Sequence, residues 1–409
     1  MQTTVKLPWL MWSLIVIFYF YQYFLRVCPV SLTEELISYF HIDASELGSF
    51  SSYYFFIYAF LQIPVGILID RFGSKLVLPL ACLTCGVGSI ILGASEGLWV
   101  ANIGRMLQGA GSSFAFIGMI YLSAHYFPIG ILGFLVCFGD SLGKLGAVFA
   151  SGPFTEILQY LSWKTTLIWV GAAGILLSLA LYFSLPNSST HDEPTTFSNL
   201  KAILKNLLQE KSMWMICFVS SLLVVTTTTF AGLWGVPFLE AGYDMSKTSA
   251  SFAISVFFLG SILGSPSIGY ISDLMAKRKP FLLTAGFFGA AITAALIYYP
   301  IFSSLGVYCL LFLLGILTSI QNLTYCVAIE SNCPKNKGAI TGYVNLFVFL
   351  LGAISQPLVG YLMERHSTLI FKSSLVYTLK DFQYSFWFFP LSFFLAFLFV
   401  FFIRDKKKI

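Results

Sequence analysis

Hydrophobic residues form long, uninterrupted runs along almost the whole chain. Runs of about twenty apolar residues recur twelve times, separated mostly by short polar segments. Each run can cross a hydrocarbon core of roughly 30 Å as an α-helix that rises 1.5 Å per residue. The runs are continuously apolar rather than alternating, which favours helices over the strands of a membrane barrel. The pattern therefore predicts an all-α membrane protein with twelve transmembrane helices.

The first run is interpreted as a membrane span. It extends past Trp12 to about Pro29 without a small-residue cleavage site, so it does not have the pattern of a signal peptide. The twelve predicted spans cover residues 9–30, 47–69, 76–95, 98–124, 131–155, 164–185, 212–238, 249–271, 281–300, 305–329, 338–362 and 384–403.

One long polar connection, residues 186–211, divides the spans into six and six. Its Pro, Ser, Thr and charged residues predict a cytoplasmic linker, with an amphipathic piece from Phe197 to Leu208. The chain is thus expected to consist of an N-terminal half, residues 1–185, the linker, and a C-terminal half, residues 212–409.

The two halves carry similar motifs at similar positions. Asp70 follows the second span and Asp273 the eighth, an offset of 203 residues, and each has a glycine four residues earlier. Pro153 and Pro357 repeat at an offset of 204. These coincidences indicate an internal duplication, which predicts a pseudo-symmetric bundle with a substrate cavity between its halves.

Charge is sparse and unevenly placed. Charged residues make up 10% of the chain and hydrophobic residues 57%, whereas a soluble domain has roughly 25% charged residues. The net charge of +5 lies mostly in short loops, which argues against a nucleic-acid partner. With the N-terminus inside, the loops place fifteen Lys and Arg on one side and five on the other. This excess predicts cytoplasmic termini.

Two motifs resemble those of the major facilitator superfamily. The segment "GILIDRFGSK", residues 66–75, matches its loop signature G-x-x-x-D-R-x-G-x-[RK], and "GRMLQGAGSSFAF" contains R-x-x-Q-G-x-G. The resemblance implies twelve helices in two halves and a secondary transporter in the cell inner membrane.

The loop signature predicts a conformational gate on the cytoplasmic side. Its carboxylate can cap a neighbouring helix and pair with a basic residue, while its glycines permit close helix approach and a tight turn. The alternative is that the basic residues only set the orientation. The predicted gate residues are Gly66, Asp70, Arg71, Gly73, Lys75 and Asp273.

A narrower resemblance involves the first span. The run "YFYQYFLRVCPVS", residues 19–31, is similar to the bacterial subgroup that includes phagosomal amino-acid and nucleoside transporters, with the lysosomal dipeptide transporter more distant. Leu25, Arg26, Val27 and Pro29 match its Leu-Arg-Val-x-Pro pattern, and Cys28 stands where serine is typical. The resemblance implies a small nutrient as substrate.

Four ionisable side chains fall inside the first six spans, namely Arg26, Arg105, Asp140 and Lys144. A charge in lipid costs a few kcal/mol, so these residues should face protein or a water-filled cavity. Depths counted at 1.5 Å per residue allow all four to share one layer. Asp140 and Lys144 lie one helical turn apart. They either neutralise each other, or Asp140 changes partner or protonation and couples protons to transport.

The second half offers neutral hydrogen-bonding groups instead of charges. These either bond neighbouring helices or line the cavity. The aromatic residues of the second span, including Tyr54 and Tyr58, are interpreted as lipid contacts. The predicted substrate-binding residues are Arg26, Tyr19, Tyr23, Arg105, Gln108, Lys144, Trp234, Gln321, Asn322 and Asn345.

The asymmetry between the halves predicts a ligand with an anionic end held by the first half. An amino acid, a short peptide or an organic acid fits, carried by a monomer with a proton as the candidate coupling ion. No nucleotide-binding or metalloenzyme signature is present, so no enzymatic activity, cofactor or metal is expected. The alternative is an exporter of amphipathic compounds or siderophores. Its Gly-x-x-x-Gly-Pro motif is matched only loosely by Gly146, Gly152 and Pro153.

Overall fold

Twelve helices, α1 to α12, form the bundle in the computed structural model, which describes residues 6–186, 205–275, 277–331, 337–367 and 377–403. Within these ranges no residue lies in a strand. The helices are α1 Lys6–Val27, α2 Ala44–Leu61 with Pro64–Phe72, α3 Ser74–Ala94, α4 Leu98–Tyr126, α5 Ile129–Leu158, α6 Trp163–Ser184, α7 Lys211–Val225 continuing through Thr226–Trp234 and Gly235–Tyr243, α8 Lys247–Met275, α9 Lys279–Tyr298, α10 Ser304–Ser319 with Asn322–Ser331, α11 Lys337–His366, and α12 Leu379–Ser385 with Phe388–Val400.

Eleven of these elements qualify as membrane spans by length and hydropathy. Ten do so directly, and α2 is the eleventh if its two bent parts count as one span. The remaining helix, α4, has 29 residues and contains Arg105 and Gln108 within its length. The twelve predicted spans therefore each correspond to one helix of the structure.

Three helices are interrupted near the middle of the bundle. The two parts of α2 meet at an angle of 61°, next to Pro64, which cannot donate a backbone hydrogen bond. In α7, residues Thr226–Trp234 form a π-helix, and α10 is broken at Ile320 and Gln321. Such interruptions often occur at functional sites, because they free backbone groups and redirect side chains.

The predicted boundaries lie within five residues of the observed helix ends, and polar first turns account for two of the differences. Helix α2 begins at Ala44, where Asp43 and Glu46 form a capping box, and α12 begins at Leu379 through a similar box of Thr378 and Asp381. Hydropathy misses these turns because they are not apolar. Most of the predicted amphipathic piece from Phe197 to Leu208 lies outside the described residues.

The bundle has two faces. Because successive spans alternate in direction, α1 begins and α12 ends on the same side, called here the terminal face. The opposite side is the distal face. Helix α1 ends towards the distal face at Val27 and continues as a 3-10 turn over Cys28–Ser31. Pro29 lies in that turn, and because it cannot donate a backbone hydrogen bond it does not continue the α-helix.

The two halves pack tightly on the distal side of the bundle. Helix α2 runs along α11, and a Cβ added at Gly48 would lie 2.6 Å from the carbonyl oxygen of Gln356. Only glycine permits this approach. Helix α5 contacts α8 in the same way, and Thr155 donates to the hydroxyl of Ser251 at 2.9 Å.

An ion-pair cluster covers the distal end of this contact. The ammonium of Lys247, at the start of α8, lies 2.7 Å from Glu35 and 3.2 Å from Glu34 in the short helix Thr33–Phe40. Since the lysine belongs to one half and the glutamates to the other, the cluster joins the halves. The structure thus represents a state whose distal side is closed.

Candidate functional site

A cavity of about 110 Å³ lies between the halves at the depth where α2, α7 and α10 are interrupted. A water needs roughly 10–15 Å³ by this measure, so the cavity has room for several waters or a small solute. Its charged lining comes from the first half: Arg26, Asp140 and Lys144. Its lining from the second half is neutral and includes Thr227, Thr228, Ser261, Thr318, Ser319, Gln321, Asn322, Tyr325 and Asn345.

Arg26 lies at the cavity wall and is surrounded by aromatic rings. Its guanidinium carbon lies 4.5 Å from the ring centre of Tyr23, 4.8 Å from that of Tyr58 and 4.7 Å from that of Phe349. It donates to the side-chain oxygen of Gln22 at 3.0 Å, while its Nε has no hydrogen-bond partner. Cation–π contacts of this kind stabilise a cation by about 0.5–2 kcal/mol.

Arg26 and Asp140 do not form an ion pair. Among the described residues, no carboxylate lies within ion-pair distance of Arg26, and its exposed fraction is 8%. Asp140 is instead 2.8 Å from the ammonium of Lys144 and accepts a hydrogen bond from Tyr19 at 3.0 Å. The charges of Arg26, Lys144 and Asp140 sum to +1, so the described cavity is electropositive.

Arg105 caps the C-terminal end of α1 instead of lining the cavity. The last carbonyls of a helix lack partners within it, and Arg105 donates to those of Leu25 and Arg26. It also donates to Gln108 at 3.0 Å and lies over the ring of Tyr54. The favourable interaction of a cation with a helix C-terminus adds to these bonds.

The structure therefore corrects two predicted substrate-binding residues of α4. Arg105 is fully buried and its donors are directed to backbone carbonyls, and Gln108 is committed to Arg105 and to the hydroxyl of Ser89. Neither lines the cavity. Both side chains position the end of α1, and through it Arg26.

The predicted amides of the second half line the cavity and also bond neighbouring helices. Gln321, at the break of α10, donates to Ser220 at 2.7 Å, and Asn322 donates to Ser265 at 2.7 Å. Trp234 differs: it is buried away from the cavity, and its indole donates to the carbonyl of Gln356 at 3.1 Å. Its assignment as a substrate-binding residue is corrected.

Asn345 links the cavity to the bend of α2. Its oxygen accepts a hydrogen bond from the Tyr325 hydroxyl, and its amide nitrogen donates to the side-chain oxygen of Gln62 at 3.1 Å. Gln62 lies between the two parts of α2, one residue before Ile63 and Pro64. This contact joins the halves on the terminal side of the cavity, and Gln62 is a member of it that the sequence interpretation did not identify.

Aromatic residues around Arg26 and Arg105 were missed as well. Tyr58 is buried over Arg26 and is not a lipid contact, and Tyr54 is fully buried with its hydroxyl donating to Gln22. Their spacing of four residues places them on one helix face, which was an available signal. Phe349 offered none, because one phenylalanine among 42 has no distinguishing pattern.

The predicted gate residues have varied surroundings. Gly73 has φ 80° and forms the turn between α2 and α3, as expected of a glycine. A Cβ at Gly66 would meet nothing within 4 Å, so the expectation of close helix approach there is corrected. Asp273 lies 2.6 Å from Arg278, which also pairs with Glu330 at 3.2 Å and so joins the terminal ends of α8 and α10.

Comparison with known families decides the broad identity. The model of the Major Facilitator Superfamily matches residues 12–356 and 228–409. The chain belongs to the Major Facilitator Superfamily. It is therefore a multi-pass membrane transporter and not an enzyme, and its twelve helices have the fold of this superfamily.

Curated relatives within the superfamily span nearly the whole chain. An uncharacterized transporter, YybO, of Bacillus subtilis is 23% identical over 89% of this chain and 90% of its own length. The probable sulfoacetate transporter SauU of Cupriavidus necator is 24% identical over 89% of both chains. The D-galactonate transporter of Escherichia coli O6:H1 is 25% identical over 86% of this chain and 87% of its own.

Solved structures of the superfamily confirm the fold. The nucleoside transporter NupG has a TM-score of 0.78 at 14% identity, covering 96% of this chain and 100% of its own. A bacterial homologue of the lysosomal transporter Spinster, in an inward-facing and unoccupied conformation, has a TM-score of 0.77 at 14% identity, covering 98% and 97%. These similarities concern the fold.

Proposed function

We propose that this transporter moves a small carboxylate-bearing organic solute by alternating access, with Arg26 as the anchor for the carboxylate. An amino acid, a short peptide or an organic acid would fit. The observation that supports this most is the position of Arg26. Its guanidinium faces the central cavity, and no described carboxylate pairs with it.

The energetics of Arg26 favour an anionic ligand. An isolated charge within a membrane protein costs several kcal/mol, and the aromatic rings around Arg26 offset only part of this. A carboxylate can accept two parallel hydrogen bonds from a guanidinium, and these charge-assisted bonds are roughly twice as strong as hydrogen bonds between neutral groups. Binding of such a ligand would also complete the hydrogen bonding of the Arg26 Nε, which has no partner among the described residues.

The rest of the solute would meet the neutral groups of the second half. Gln321, Asn322 and the hydroxyls of Thr318 and Ser319 provide both donors and acceptors. Such groups suit hydroxyl, amide or ammonium substituents. Two relatives are named as transporters of organic acids, which agrees with this substrate class. The resemblance of residues 19–31 to nutrient transporters of intracellular bacteria supports the same proposal.

Asp140 is proposed as the proton-coupling residue. When Asp140 is ionised, it holds the ammonium of Lys144 at 2.8 Å. Protonation removes this partner and changes the charge of Arg26, Asp140 and Lys144 together from +1 to +2. An anion would then bind more strongly. A proton and an anionic solute would thus enter the cavity together.

The charge distribution over the loops supports an orientation with the terminal face in the cytoplasm of a bacterial inner membrane. In this orientation the closed distal side faces outwards. The described state is then one in which the solute is about to be released into the cytoplasm or has just been taken up from it. Transport by a single chain is sufficient, since the cavity is built within one chain.

Uptake into proteoliposomes tests the carboxylate anchor. Purified protein would first be screened by thermal shift against amino acids, dipeptides, organic acids and nucleosides, because a ligand of the folded state raises apparent stability. Uptake of any stabilising solute would then be compared for wild type, Arg26→Lys, Arg26→Gln and the control Arg365→Gln, which alters an exposed guanidinium bonded to Tyr361.

We expect Arg26→Gln to abolish uptake of carboxylates, Arg26→Lys to retain part of it, and the control to behave as wild type. If Arg26→Gln transported every carboxylate at the wild-type rate, the proposed role of Arg26 would be wrong. Stabilisation by amphipathic cations alone, without any effect of carboxylates, would favour the exporter alternative.

A further inference from the structure

The first turn of α2 is held by side chains of the opposite half. Helix α2 begins at Ala44, and the N–H groups of a first helical turn have no partner within the helix. The N–H of Ala44 donates to the hydroxyl of Tyr377 at 3.3 Å, and that of Ser45 donates to the carboxyl group of Glu364 at 2.5 Å. Glu364 lies in the last turn of α11 and Tyr377 just before α12, so the second half caps a helix of the first half.

The two helices approach closely at this place. On α11, Gln356, Gly360 and Glu364 are spaced by four residues and share one face, which packs against α2. A Cβ added at Gly360 would collide with the carbonyl oxygen of Ala44. The close packing fixes Glu364 over the start of α2. Any movement that separates the distal ends of α2 and α11 must therefore break its bond to Ser45.

Two carboxyl groups face each other across this contact. Asp43, the N-cap residue of α2, accepts a hydrogen bond from the N–H of Glu46 at 2.8 Å through one oxygen, and Glu364 uses one oxygen for the N–H of Ser45. The side chains of Asp43 and Glu364 are also hydrogen-bonded to each other. A carboxylate has no proton to donate, so this bond exists only when one of the two groups is protonated. We call Asp43 and Glu364 the distal carboxyl pair.

The neighbours of the distal carboxyl pair add negative charge. Glu46 brings a third carboxylate, which accepts a hydrogen bond from the N–H of Asp43 at 3.1 Å. None of the ion pairs among the described residues includes Glu46 or either member of the pair. At the end of α11, the imidazole of His366 is bonded to Asp381 at 2.9 Å, and Tyr377 offers only a neutral hydroxyl. Because both carboxyls of the pair are half-buried, two negative charges would repel each other, and one shared proton relieves this repulsion.

We propose that the distal carboxyl pair is a pH-sensitive gate, in which one shared proton holds the distal side closed. When the distal ends of α2 and α11 separate, each carboxyl faces water and loses its proton at any pH well above about 4. The closed state therefore binds one proton more than the open state. Its stability is present at low pH and is lost as the pH rises, and the equilibrium constant for opening increases by up to about tenfold for each pH unit. This inference depends neither on the transported solute nor on Asp140.

Spin-label distances across the distal face, measured at several pH values, test this gate. Labels at Tyr160 and Ile301, two exposed residues in distal turns of the first and the second half, would be placed in a background without native cysteines. Distances would be recorded from about pH 5 to about pH 8 without solute, because isolated carboxyl groups are ionised throughout this range. Histidine is the other side chain that ordinarily titrates in this range, so it needs its own comparison.

Two substitutions of Glu364 have opposite expected effects. Glu364→Gln keeps an acceptor for the α2 backbone, and its amide donates to Asp43 as the protonated acid does. Glu364→Ala removes both interactions. Glu96→Gln is the matched control, since it changes an exposed carboxyl in the distal turn between α3 and α4. Asp140→Asn and His366→Gln remove two other groups whose titration would produce a pH response of different origin.

We expect the longer distance to become more populated from about pH 5 to about pH 8 in wild type, in the control and in the Asp140 and His366 variants. Glu364→Gln should keep the shorter distance at every pH. Glu364→Ala should raise the equilibrium constant for opening at about pH 5 by at least twofold, the smallest contribution expected of one hydrogen bond, and should not respond to pH. A wild type without a pH response, a response that persists in folded Glu364→Gln, or its loss in Asp140→Asn or His366→Gln would overturn the proposal.

Discussion

The hydrogen bond between Gln62 and Asn345 provides a quantitative test of how the halves are held together around the cavity. It joins α2 to α11 at 3.1 Å, and both side chains are buried, with exposed fractions of 3% and 5%. Gln62 lies on the terminal side of the cavity, so this bond must break if the terminal ends of α2 and α11 separate. We therefore expect its removal to shift the protein towards a terminal-open state.

The magnitude follows from the chemistry of the bond. A hydrogen bond between two neutral buried amides contributes about 0.5–1.5 kcal/mol, which corresponds to about a 2- to 13-fold change in an equilibrium constant. Asn345→Leu also deprives the Tyr325 hydroxyl of its acceptor, whereas Gln62→Leu does not. A double-mutant cycle of Gln62→Leu and Asn345→Leu removes this additional effect and isolates the bond itself.

Spin-label distances between the halves report the equilibrium. Labels at His125 and Lys277, both exposed residues on the terminal face, would be placed in a background without native cysteines. Each single variant should raise the equilibrium constant between the longer-distance and the shorter-distance population. The double variant should raise this constant by less than the product of the two single effects. Two outcomes would refute this account of the contact. One is a double variant whose change in free energy equals the sum of the two single changes, and the other is a distance distribution that changes in no variant.

Three further outcomes follow from other contacts. Asp140→Asn removes the carboxylate that holds Lys144, so we expect tighter binding of the anionic solute and loss of its pH dependence, measured by binding titrations at several pH values; unchanged pH dependence would exclude Asp140 as the coupling residue. Lys247→Met should raise the equilibrium constant for opening the distal side by up to about fivefold, because ion pairs near the surface contribute about 0.2–1 kcal/mol. Spin labels on the distal face measure this shift, and an unchanged distance distribution would show that the cluster does not hold the halves together. Arg105→Met leaves the carbonyls at the end of α1 without donors and should destabilise the protein by about 2–5 kcal/mol in thermal unfolding, while Arg105→Lys should restore part of this; a fully stable Arg105→Met variant would contradict the capping role.

Arg26 and Arg105 show how far the sequence interpretation could reach. Both are arginines in apolar runs, and their depths, counted along straight helices, place them in one layer. The structure brings them close together, but in opposite roles: Arg26 faces the cavity, while Arg105 is directed to the carbonyl of Arg26 itself. Depth follows from the position along one helix. The direction of a side chain depends on the neighbouring helix that packs against it.

The aromatic and amide residues lead to the same conclusion. Tyr58 has the same local sequence environment as aromatic residues that contact lipid, yet α11 places Phe349 beside it and both rings surround Arg26. Gln62 acquires its role through Asn345, 283 positions away in the chain. No local pattern encodes such a pair.

The sequence by itself determined the number of spans, the division into two halves, the superfamily and the contrast between a charged first half and a neutral second half. These depend on the length of apolar runs, the cost of charge in lipid and two local motifs, all of which act within one helix or one loop. The tertiary structure alone decided that no described carboxylate pairs with Arg26, that Arg105 caps α1, and that the two parts of α2 meet at 61°. Those outcomes depend on the rotation of each helix about its axis and on its partners, which hydropathy and spacing do not specify.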